Sequence, residues 1–201
     1  MNKSTECSLG RPRDAQAERR ILEATLRLLA EEGYVRMTLD SVAASSGASK
    51  TTIYRRWSSK ADVVTAALRT LQLSEPPVDT GAVPGDLAAI LVNFRRSLLR
   101  PNGMALVGTV LAEEAHTPDL LRLFRERIVA PRRASLRAVL DRARKAGQLR
   151  RGARIDAAVA MLIGAVYARY LASGEVPASF PRELVEIVWA GIKAQDPAPP
   201  R

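Results

Sequence analysis

Ser49, Lys50, Thr51 and Thr52 form an unbroken run of hydrogen-bonding side chains, followed by Tyr54, Arg55 and Arg56 and then by Lys60. Such groups suit a phosphate-bearing partner: the cations and the tyrosine hydroxyl pair with phosphate oxygens, and the free amides opening a helix favour the same negative charge. Ile53 and Trp57, four residues apart, fall on the other side of that helix and would hold it against its neighbours. The chemistry of catalysis is thinner. His116 is the only histidine, and Glu113 with Glu114 before it makes at most half a metal site, so no metal is expected. Gly47 to Thr51 departs from a nucleotide-phosphate loop because Ser49 stands where glycine must precede the lysine. Neither G-x-S-x-G nor G-x-G-x-x-G occurs, Cys7 reads as an exposed thiol, and no cofactor is expected.

The elements that must position these residues are helical throughout. Ala17, Ile21, Thr25, Leu28 and Leu29 recur at helical spacing, with Gly33 as the stop. Thr38 caps a short helix carrying Leu39, Val42 and Ala43, which Gly47 ends; Ser49 caps the next, through roughly Trp57. Ser59 with Asp62 opens a fourth that carries Val63, Val64, Ala67, Leu68 and Leu71. Pro76, Pro77, Gly81, Pro84 and Gly85 then mark a linker. Beyond it, helical patterns cover about 86–100, 104–115, 118–146, 155–173 and 181–194, and Pro131 predicts a kink in the longest. No stretch alternates as strands do. The expectation is an all-α chain of about nine helices: a basic disordered arm at 1–13, a head at 14–72, a linker at 73–85, a helical domain at 86–194 and a disordered tail at 195–201.

Two short helices split by a glycine turn and braced by a longer one make a helix-turn-helix, whose second helix enters a DNA major groove. The stretch TLDSVAASSGASKTTIYRRWSSKADVV resembles the amino-terminal signature of the TetR-type transcriptional regulators at Thr38, Val42, Ala43, Gly47, Ser49, Thr52, Tyr54, Trp57 and Lys60. The arm Gly10-Arg11-Pro12-Arg13 is similar to that family as well. Trp57 replaces the more usual phenylalanine, and Thr51 stands where many members have glycine. The resemblance covers residues 11 to about 70 and implies a repressor of double-stranded operator DNA, with contacts from Arg11, Arg13, Thr38, Ser49, Lys50, Thr51, Thr52, Tyr54, Arg55, Arg56 and Lys60. It further implies that the remaining helical part binds a small effector and dimerises.

Composition is that of a globular protein: 201 residues, 47% hydrophobic and 26% charged. The uncharged apolar run Ala157 to Ala168 is shorter than the roughly 20 residues of a spanning helix, so no membrane partner is expected. The start of the chain has no secretory apolar block, and a single cysteine cannot form an internal disulfide; a cytoplasmic protein is expected. Net charge is +10, but it is uneven: 11 basic and 7 acidic groups in residues 1–60, against 12 and 2 in residues 122–154. Arg122, Arg125, Arg133, Arg137 and Arg144 avoid the apolar stripes there, so a solvated helix face is the first reading, with an anionic effector or extra phosphate contact as the other.

Phe94, Leu98, Met104, Leu111, Phe124, Ile128, Tyr167 and Tyr170 are candidate liners of an effector pocket, although core packing is the expected role for most of them. The last two helices are apolar around their circumference, which predicts burial on all sides. Ala160, Gly164 and Ala168 recur one turn apart and would admit another helix closely, so a homodimer contact is expected through Ala160, Met161, Gly164, Ala168, Leu184, Ile187, Val188 and Gly191. Two competing classes stand beside the regulator: a helical enzyme acting on a small molecule, and a helical binding protein with a vestigial head.

Overall fold

The computed structural model describes residues 11–71 and 80–194, with the side chains from residue 15 on; residues 1–10 and the tail from 195 lie outside the described residues. The described helices are α1 (Arg11–Arg36), α2 (Leu39–Ser46), α3 (Lys50–Arg56), α4 (Lys60–Arg69), α5 (Val83–Leu99), α6 (Gly103–Ala112), α7 (Pro118–Phe124), α8 (Ala130–Lys145), α9 (Ile155–Ser173) and α10 (Phe180–Ile192). No strand occurs among the described residues; one antiparallel bridge, Leu149 with Lys193, ties the loop after α8 to the end of α10. The described residues form two compact units: one takes residues 11–71 together with Pro101–Arg127, the other takes residues 80–100 together with 128–194. α6, which follows the linker in sequence, packs against α1, and α7 packs against α6.

In the first unit, Ile21, Leu22, Ala24, Thr25, Leu28 and Leu29 of α1 are buried, and α1 packs against α2, α4 and α6. The buried Thr25 hydroxyl donates to the Ile21 carbonyl at 2.8 Å, so the stripe hides no unsatisfied polar group. Helical backbone already begins at Arg11, earlier than the start near Asp14 that the apolar period predicts; Pro12 in the first turn explains this, because its missing N–H has no helical partner to lose. Gly33 breaks α1 with φ 81° and ψ 166°, and a side chain there would bring its Cβ within 3.1 Å of a Glu113 carboxylate oxygen.

In the second unit, α5 packs against α8, α9 and α10, and α9 against α8 and α10. Leu87, Leu91 and Phe94 of α5, Leu136 and Leu140 of α8, and Leu162 and Val166 of α9 supply its buried core. The longest sequence pattern, 118–146, is α7, a π-helical turn at Arg125–Val129, and α8. Pro131 cannot donate to the carbonyl four residues back and its ring would press on it, so the turn widens just before it; the predicted kink takes this form.

Within the single chain α9 is buried along one side, and the rest of its apolar circumference is left open. By length and composition α9 is apolar enough to cross a membrane, yet only 28% of its apolar window is buried. Ala160, Met161, Gly164, Ala168 and Leu171 all stay exposed on one stripe. Leu184 and Val188, expected at the dimer contact, are instead buried in the chain's own second unit, because α10 turns them toward its own core while Ile187 and Gly191 face outward.

Candidate nucleic-acid interface

The turn between α2 and α3 is built by capping. The Thr38 hydroxyl accepts from the Ser41 amide at 3.0 Å, and the Ser41 hydroxyl accepts from the Thr38 amide at 3.0 Å, closing both ends of a capping box. Gly47 ends α2 in the left-handed region at φ 67°, which turns the chain sharply enough for Ser49 to cap α3 two residues later. Ser49 Oγ accepts from the Thr52 amide at 3.2 Å and shares a hydrogen bond with Thr52 Oγ1 at 2.8 Å. Ile53 and Trp57 are buried, so α3 is fixed from behind. Its outer edge is Ser49, Lys50, Thr51, Tyr54 and Arg55, all exposed, with Tyr54 at 54%. A short helix locked at its rear with polar donors along its front is what major-groove docking requires.

The remaining cations of the set are placed differently. Lys50 Nζ meets Asp40 Oδ2 at 2.7 Å, and that hydrogen bond and charge hold the Lys50 ammonium above its usual pKa. Both groups are exposed, so the pair is weak enough to exchange for a phosphate. Arg56 is partly buried and donates to Glu18 Oε2 at 2.8 Å, bracing α3 to α1. Lys60 Nζ donates to the Tyr34 carbonyl at 2.6 Å and to that of Val35 at 3.3 Å, and lies 4.4 Å from the centroid of the Tyr34 ring. Its ammonium thus ties the first turn of α4 to the chain just past the Gly33 break. Lys60→Met is expected to cost the head about 1–3 kcal/mol, the scale of hydrogen bonds to a charged group, while leaving the salt dependence of DNA binding unchanged. Urea unfolding followed at Trp57 in a Trp189→Phe background, beside salt titrations of duplex binding, measures both. Arg11 and Arg13 sit in the first turn of α1, where only the backbone is described.

The sequence model "Bacterial regulatory proteins, tetR family" matches residues 21–67, and "Tetracyclin repressor-like, C-terminal domain" matches residues 77–188. The chain belongs to the TetR family of transcriptional regulators. This TetR-family chain is 32% identical over 187 residues to the uncharacterized HTH-type transcriptional regulator YdeS of Bacillus subtilis, covering 92% of the chain and 94% of that relative. It is 40% identical over 104 residues to the DNA-binding transcriptional repressor TetR of Mycobacteroides abscessus, covering 51% and 49%. Among solved structures, one TetR-family transcription regulator shares 32% identity at a TM-score of 0.61, covering 88% of this chain and 98% of that one. The family is one of regulators, not enzymes.

The effector candidates divide between the units. Phe94, Leu98, Ile128, Tyr167 and Tyr170 belong to the second, where Phe94 and Tyr167 meet edge to face with centroids 5.1 Å apart. Met104, Leu111 and Phe124 belong to the first; Phe124 is buried and Leu111 is 57% exposed. Among the described residues no three His, Cys, Asp or Glu side chains gather as metal ligands. Two residues of the second unit were missed by sequence reasoning, Asp86 and Arg132, both charged and both set into apolar stripes. The signal was available: Arg132 stands four residues before Leu136 and seven before Val139, on the face those buried residues define.

Proposed function

We propose that this TetR-family regulator acts in the cytoplasm as a homodimeric repressor, binding palindromic operator DNA through α3 and leaving it when a small molecule occupies the second unit. The observation that carries this is the outward edge of Lys50, Thr51, Tyr54 and Arg55 on a helix anchored by Ile53 and Trp57. Lys50 and Arg55 supply phosphate contacts, Tyr54 a phosphate hydrogen bond, and Ser49 and Thr51 polar groups for base edges. Exposed stripes on α9 and α10 supply the partner contact, and two heads one helical turn apart read a palindrome. Release follows if the effector prefers a state whose heads are wrongly spaced, since only differential affinity moves that equilibrium.

Selection of bound fragments from a genomic duplex pool tests the reading, and a recovered palindrome is the expected result. On that duplex, Lys50→Ala with Tyr54→Ala is expected to weaken binding about tenfold or more. Lys50→Ala alone should lower the slope of log affinity against log salt by about 0.9. Unchanged duplex binding in the double variant would return the chain to a helical binding protein with a vestigial head.

A further inference from the structure

Three helices of the second unit bring one charged and two aromatic side chains together. Phe94 of α5 is buried, and the Arg132 guanidinium of α8 lies over its ring, 4.1 Å from the centroid. Tyr167 of α9 meets the same ring edge-on, with the planes at 69°. Arg100, at the end of α5, is near enough to act on Arg132 electrostatically. Burial depresses the Arg132 pKa, Tyr167 works in the opposite direction, and the like charge of Arg100 depresses it further. Burial depresses Arg100 too, and raises Tyr167.

Two other arginines of α8 have counter-ions: Arg142 meets Asp86 and Arg137 meets Asp156. Arg132 and Arg100 have no carboxylate partner among the described residues. An aromatic face repays only part of what a guanidinium loses on leaving water, and a second cation nearby makes the balance worse. Neither the Arg132 guanidinium nor the Tyr167 hydroxyl makes a hydrogen bond, yet none of their polar atoms is sealed from solvent, so water reaches these groups and an anion can replace it. Two positive charges exclude a cationic occupant, and a neutral one would leave the guanidinium uncompensated.

We propose that this corner binds the carboxylate of a small organic acid with an apolar body. Arg132 takes the two carboxylate oxygens side by side, the planar match a guanidinium offers, and the Tyr167 hydroxyl adds a donor while Arg100 adds charge. Phe94, Leu91 and Leu98 are covered by the core, so the half-buried Tyr167 ring is the aromatic surface left for the acid's body. The assignment rests on the second unit being the effector domain, and it names the class of effector.

The test uses the full chain with benzoate, phenylacetate and octanoate, each beside its own primary amide, and inorganic phosphate as a separate arm. Binding is followed by calorimetry and by thermal shift. At least one acid is expected to bind tenfold or more tighter than its amide and tighter than phosphate. Arg132→Met should erase that preference, Arg132→Lys should keep part of it, and Arg133→Met should keep it whole. No preference in the wild type, equal binding of phosphate, or a preference that survives Arg132→Met would overturn the proposal. If Arg132→Met fails to fold, the wild-type pairs and Arg100→Gln decide, the latter expected to narrow the preference. Operator binding is measured in parallel. An acid that binds without releasing the duplex sinks effector control but not the site, whereas release by amides and acids alike sinks the site but not effector control.

Discussion

Ile187→Asp is expected to convert the protein to monomers and to weaken operator binding by about a hundredfold or more, the loss of one arm of a two-headed contact. Ile187 is 72% exposed on α10, and on α9 Met161 is 52% and Leu171 73% exposed. Scattered apolar residues on a surface mean little. Here Met161 and Leu171 lie along one stripe of α9 with Ala160, Gly164 and Ala168, and nothing beyond its own helix backbone and chain neighbours stands within 4 Å of where a Gly164 side chain would begin, so a second helix can approach closely. A carboxylate at Ile187 would be buried without a counter-ion in such a contact, a penalty of several kcal/mol, while in a lone protomer it simply faces water. Light scattering after size exclusion gives the oligomeric state, circular dichroism confirms an unchanged fold, and operator titration gives the affinity. A dimer that persists in the variant would place the interface on another face.

The head was legible because its signals are local. Thr38, Gly47, Ser49 and Ser59 each act on the few residues beside them, and each caps or ends the helix its chemistry predicts. The pairing of Lys60 with Tyr34 and Val35, and of Arg56 with Glu18, was not legible, since a cation's partner depends on which elements the fold brings alongside. The same limit explains Leu184 and Val188. An apolar circumference says that a helix has little to lose by burial, but the side that meets its own chain is decided by its neighbour α9 and by α5, which is distant in sequence. Arg132 and Asp86 went unnoticed for a related reason: charge counts over long segments average away a single charged residue on an apolar stripe. In both cases the spacing to buried neighbours held the information that the composition did not.

Asp86→Asn is expected to destabilise the second unit by about 2–4 kcal/mol at neutral pH, with a loss that shrinks in acid. Asp86 is fully buried at the start of α5. Its Oδ1 accepts from the Thr80 hydroxyl at 2.7 Å and the Thr80 amide at 3.1 Å, and its Oδ2 accepts from the Arg142 guanidinium of α8. Burial alone would raise the carboxyl pKa, but the two Thr80 bonds and the Arg142 charge outweigh it, and the net effect holds Asp86 below the usual carboxylate value. A depressed folded-state value means that the unfolded chain binds the proton more readily. The stabilisation is therefore complete above the ordinary carboxylate pKa of about 4 and is lost as pH falls through the lower folded value. Asparagine can keep a Thr80 bond but not the charge, so the ion pair between position 86 and Arg142 is absent at every pH. The two tryptophans separate the units, Trp57 in the first and Trp189 in the second, and a Trp57→Phe background lets urea unfolding report the second alone. Wild type and Asp86→Asn should differ most near pH 7 and converge as pH drops below about 4. Curves that stay parallel down to acid would mean that the carboxylate is not what holds α5 to α8.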